Sequence, residues 1–73
     1  MEVARQLVRS MKIDEVAIVR LTLRVAIAKN HDGTFTVYEI KPNDEIWEIT
    51  RLTEEELIKF LGAFTRVDVE GRG

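Results

Sequence analysis

The chain has 73 residues, 45% of them apolar and 33% charged, with no cysteine and a formal net charge of −2. A chain this short supports one domain, 1–73, near the lower limit for independent folding, and without cysteine it has neither disulfides nor a thiolate zinc site. The apolar fraction excludes a disordered polymer, and no apolar run approaches the roughly 20 residues of a membrane-spanning helix.

Met1–Lys12 lacks the uninterrupted apolar core of a signal peptide, so a cytoplasmic location is expected. Asn, Gln, Met and Cys together number five beside abundant Lys, Arg and Glu, a balance that leans towards a thermophilic source. Charge is unevenly placed. Residues 1–30 carry six Lys/Arg against three Asp/Glu, and residues 31–73 carry five against ten. Halves of opposite sign neutralise each other within a fold or across a dimer, or else the basic half meets an anionic partner.

In chain order, "MEVARQLVRSMK" comes first. Val3, Ala4, Leu7, Val8 and Met11 fall on one side at helical spacing, with Glu2, Arg5, Gln6, Arg9 and Lys12 on the other. The spacing predicts a three-turn amphipathic helix over 1–12. Next, the odd positions from Ala17 to Ile27 read Ala, Val, Leu, Leu, Val, Ile, while the even positions include Arg20, Thr22 and Arg24. Strict alternation with many β-branched residues predicts a strand over 14–29 with one face buried. "NHDGT", Asn30–Thr34, predicts a type I turn closed by a left-handed glycine, which sets Ile27 opposite Val37 and Ala26 opposite Tyr38. The two-residue Asp-Gly turn would shift that register, and one residue away Arg24 faces Glu39.

Thr34–Lys41 reads as the second strand, Pro42-Asn43-Asp44 as a turn, and Glu45–Arg51 as a third, half-polar strand. "LTEEELIKFLGAF" is a helix opening. Thr53 is the N-cap, Glu56 completes a capping box, Leu52 staples onto Leu57, and Gly62 is a stop. Its apolar stripe is Leu57, Phe60, Leu61 and Phe64. "TRVDVE" alternates well enough for a short edge strand, and "GRG" reads as a loose tail. The expected fold is α+β in the order α-β-β-β-α-β. It is a small antiparallel sheet of three or four strands with both helices on one face.

A straight strand over 14–29 would be about 50 Å long, whereas a compact domain of this size is near 30 Å across. The strand must therefore bend or break, or pair outside the subunit. Its even face carries Val16, Ile18, Ala26 and Ala28, continued across the hairpin by Tyr38 and Ile40, and two short helices cannot cover both faces of a sheet. These six residues are the expected interface of a homodimer formed by sheet stacking or edge pairing.

Catalytic chemistry has few footholds. Ser10 is the single serine and His31 the single histidine, one on a helix and one in a turn, so a nucleophile–base pair is not expected. His31 and Asp32 with Asp44 or Glu45 offer one nitrogen, short of a structural zinc set. Glu54-Glu55-Glu56 serves a helix N-terminus, and Glu45 and Glu48 fall on opposite faces of a regular strand. The glycines are isolated and form no phosphate loop. No catalytic residue, cofactor or metal is assigned, and no membrane partner is expected. The leading expectation is a non-catalytic, self-associating interaction module. The alternative is nucleic-acid or regulatory binding by Arg5, Arg9 and Lys12 on the first helix with Arg20, Arg24 and Tyr38 on the sheet. Trp47 would mark a contact surface if exposed.

Overall fold

A computed structural model describes residues 2–73, which run in the order α1 (Glu2–Ser10), β1 (Val16–Arg20), β2 (Arg24–Lys29), β3 (Phe35–Ile40), β4 (Ile46–Leu52), α2 (Glu54–Gly62) and β5 (Asp68–Arg72). The strands form one antiparallel sheet in the spatial order β4-β3-β2-β1-β5. Met1, the expected first residue of the helix, lies outside the described residues. The radius of gyration is 11.1 Å and the longest extent 30 Å.

The length conflict resolves by a break within the segment. Residues 14–29 form two strands that fold back on each other, with Val19 opposite Val25 and Arg20 opposite Arg24. The reversal is Leu21-Thr22-Leu23, where the Leu21 N–H donates to the Leu23 carbonyl at 2.7 Å. A loop of three residues preserves the odd–even parity of both strands. The alternation therefore runs unbroken through the turn, and Leu21 is itself buried. No glycine, proline or asparagine announces the reversal. Both strands are interior to the sheet, so edge pairing through this segment, as the sequence suggested, does not occur.

The Asn30–Thr34 turn has the expected bulged form. Gly33 N donates to Asn30 O at 3.1 Å, Gly33 has φ 88°, and Ile27 and Ala26 face Val37 and Tyr38. The Pro42 turn repeats this geometry with Asp44 at φ 68° in the left-handed position. Thr53 caps α2, accepting from Glu56 N at 3.3 Å, while its own N–H donates to Glu56 Oε1 at 2.9 Å. Gly62 ends the helix without a left-handed turn, because Ala63 caps it in right-handed conformation. The "GRG" tail is not loose. Gly71 and Arg72 belong to β5, and Gly73 exchanges two backbone hydrogen bonds with Val16 at 2.8 and 2.9 Å.

The core lies between the odd face of the sheet and the two helices. Ala17, Val19, Val25, Ile27, Phe35 and Val37 meet Ala4, Leu7 and Val8 of α1 and Leu57, Ile58 and Leu61 of α2. Phe60 and Phe64 pack against this cluster in edge-to-face contact, their centroids 5.4 Å apart. Val3, expected among the core residues, is 49% exposed. The total accessible surface is 4606 Å², against about 4600 Å² for a compact monomer of this mass. The molecule is not over-extended; only the character of its surface is unusual.

Candidate interaction surface

With both helices on the odd face, the even face is bare, and the strand registers arrange it in three cross-strand rows. One reads Ile46, Ile40, Arg24, Arg20, Asp68; the next Glu48, Tyr38, Ala26, Ile18, Gly71; the third Arg51, Thr36, Ala28, Val16. All six residues expected at an interface therefore share this face. Their exposure is unequal. Ile18, Ala28, Tyr38 and Ile40 are half-buried and Val16 is 38% exposed, but Ala26 is 6% exposed, enclosed by its neighbours in the sheet. Thr36 beside it is also buried, and Asn30 Nδ2 donates to its hydroxyl at 2.9 Å.

Large exposed apolar side chains are concentrated on β4. Ile46 is 64%, Trp47 58% and Ile49 48% exposed. A bulge accounts for Ile49. Val37 pairs with Thr50 and Tyr38 with Glu48, so Ile49 is left without a partner. The bulge also shifts the strand's parity. Thr50 and Leu52 share the core face with Val37 and Phe35, while Trp47 shares that side with Glu39 and Ile46 the bare side with Ile40. Strict alternation along β4 would bury either Trp47 with Ile49 or Ile46 with Leu52. The bulge makes neither complete: only Leu52 packs against the core. Isolated exposed apolar residues are ordinary; three within four positions of an edge strand are not.

The residues proposed for nucleic acid are divided by the sheet. Arg20, Arg24 and Tyr38 lie on the bare face, while Arg5, Arg9 and Lys12 belong to the helix-bearing side. Trp47 and Tyr38 are on opposite faces of the sheet. Arg20 and Arg24 directly oppose one another, an unfavourable pair that Glu70 relieves. Glu70 Oε1 accepts from Arg24 Nε at 2.8 Å, and Oε2 from Arg20 Nε at 3.2 Å. Those bonds hold the Glu70 carboxyl below the ordinary carboxylate range, Arg24 contributing most. Glu70 is the unpaired residue of a bulge in β5, between partners of Ile18 and Val19. Glu39, the neighbour considered for Arg24, instead pairs in register with Val25 and Trp47.

Other opposite charges also meet within the chain. Arg9 lies 3.8 Å from Glu54, and Arg72 Nε donates to Glu15 Oε2 at 2.6 Å, depressing the Glu15 carboxyl. Three basic residues of the first half, Arg9, Arg20 and Arg24, thus meet carboxylates of the second half inside one subunit.

Ser10 Oγ donates to the Leu7 carbonyl at 3.2 Å, a local helical bond. His31 Nε2 lies 3.1 Å from Asp14 Oδ1, with both side chains widely exposed. Among the described residues no three His, Cys, Asp or Glu side chains converge as metal ligands, and no helix is long and apolar enough to cross a membrane. No protein-family model, curated protein or solved structure matches the chain.

Proposed function

We propose that this chain is a small non-catalytic interaction module that works by associating with copies of itself through its sheet. The exposed Ile46, Trp47 and Ile49 on β4 carry this reading, because large apolar groups on an unpartnered edge gain most from losing water. The bare face continues the same surface from Ile46 to Ile40 and Tyr38, and its rim is charged, with Arg20, Arg24, Glu48 and Arg51. An apolar centre inside a polar rim is the anatomy of a protein–protein contact. Arg20 and Arg24 already share the Glu70 carboxylate, whose negative charge opposes a phosphate held at the same pair.

Trp47 is the single tryptophan, which makes the test direct. Emission recorded across a dilution series from hundreds of micromolar to nanomolar shifts from blue to red as the subunits separate. A spectrum typical of wet indole at every concentration contradicts the reading.

A further inference from the structure

We infer that two copies join edge to edge through antiparallel pairing of β4 with β4, in the register that sets Glu48 of one copy opposite Arg51 of the other. This rests on the self-association proposed above and specifies its geometry.

The sheet has two free edges, and they differ. β5 carries Asp68, Glu70 and Arg72 in five residues, with a bulge at Glu70, features that discourage pairing. β4 is the longest strand, seven residues without lysine or proline, with one acidic and one basic side chain and three large apolar groups exposed. Alternate backbone N–H and C=O groups along it point away from β3 and have no strand to bond. A second copy of β4 meets that need. An antiparallel pair around a two-fold axis normal to the sheet keeps both helix layers on one side and both bare faces on the other.

Register follows from the faces and the charges together. Residues opposite each other across an antiparallel pair must project to the same side. Through the bulge, Ile46, Glu48 and Arg51 project to the bare face, and Trp47, Thr50 and Leu52 to the helix side. Pairing centred on Ile49 violates this everywhere, setting Trp47 against Arg51 and Ile46 against Leu52. Pairing centred between Ile49 and Thr50 satisfies it, with Glu48 opposite Arg51 and Trp47 opposite Leu52, each contact occurring twice. Like charges are nowhere opposed, and the strand is its own electrostatic complement. A regular β4 would send Glu48 and Arg51 to opposite faces, so the bulge that usually guards an edge here makes the strand self-complementary.

Engineered thiols test the register, because the chain has no native cysteine. Glu48→Cys and Arg51→Cys are made separately, both at exposed positions that leave the core untouched. Directly opposed residues have Cα atoms about 4.5–5.5 Å apart, within disulfide range. Mixed and mildly oxidised, the two variants form a covalent dimer, whereas either one alone stays uncrosslinked. Charge reversal gives a second readout: Glu48→Arg alone or Arg51→Glu alone weakens association on the order of tenfold, and the double variant restores it. A dimeric solution mass with no selective crosslink, or with equal crosslinking in the single variants, overturns the β4 pairing while leaving sheet association standing. A mass of 8.4 kDa at every concentration removes both.

Discussion

Gly33 occupies the left-handed region at φ 88°, and nothing lies within 4 Å of the place a Cβ would take. Gly33→Ala therefore isolates the backbone cost of a left-handed L-residue and lowers stability by about 1–2 kcal/mol in urea melts. Asp44, at φ 68°, holds the corresponding place in the Pro42 turn with a residue type that tolerates it. These local demands were legible from the sequence because a turn depends on two or three adjacent side chains. The same holds for the Thr53–Glu56 box, where spacing alone determines which atoms meet. Glu70 was not legible. Its partners Arg20 and Arg24 lie 50 and 46 positions away, and it meets them only because β5 returns beside β1 and bulges there.

Among the elements, α2 depends most on its own sequence. Its cap satisfies backbone N–H groups that the helix cannot bond internally. Thr53→Ala removes the acceptor of the Glu56 N–H and lowers stability by about 1 kcal/mol in the same melts, while the Thr53 backbone N–H that chiefly depresses the Glu56 carboxyl is retained. An unchanged unfolding midpoint contradicts the assignment. The β1–β2 hairpin shows the opposite case. Alternation reported both buried faces correctly, yet Leu21-Thr22-Leu23 carries no turn chemistry, and an odd-length loop leaves the pattern undisturbed. Only the conflict between strand length and domain diameter betrayed the break. In β4 the bulge escaped notice for a related reason. Neither Ile49 nor its neighbours are glycine or asparagine, so the parity change became visible only against β3. That the six residues share one face of the sheet was therefore readable, whereas the β4 surface was represented by Trp47 alone.

At the scale of the whole molecule, Glu70 and Glu15 join distant segments through arginines, and the fold depresses these two carboxylates and two local ones. Glu70 is lowered mainly by Arg24, Glu15 mainly by Arg72, Glu56 by the Thr53 backbone and Asp32 by Thr34. Each folded pKa lies below its unfolded value, about 4.3 for glutamate and 3.9 for aspartate. The associated stability is fully present above those unfolded values and is lost as pH falls through the folded ones. The urea midpoint is therefore level from pH 7 to about 5 and declines in more acidic buffer. Glu70→Gln makes that decline shallower and lowers the plateau, since Arg20 and Arg24 then oppose each other unrelieved. A variant that keeps the full acid slope contradicts the role given to Glu70.

Size places the heaviest demand on the account. An 8.4 kDa chain without disulfides has a small core, and with a surface of normal extent the proposed association rests on where apolar groups lie, on β4 and the adjoining bare face. Sedimentation equilibrium over micromolar concentrations tests this most directly. The expected result is a reversible species of twice 8.4 kDa that dissociates on dilution and in which Trp47→Lys favours the single subunit. One ideal species at 8.4 kDa throughout, unaffected by that substitution, contradicts it.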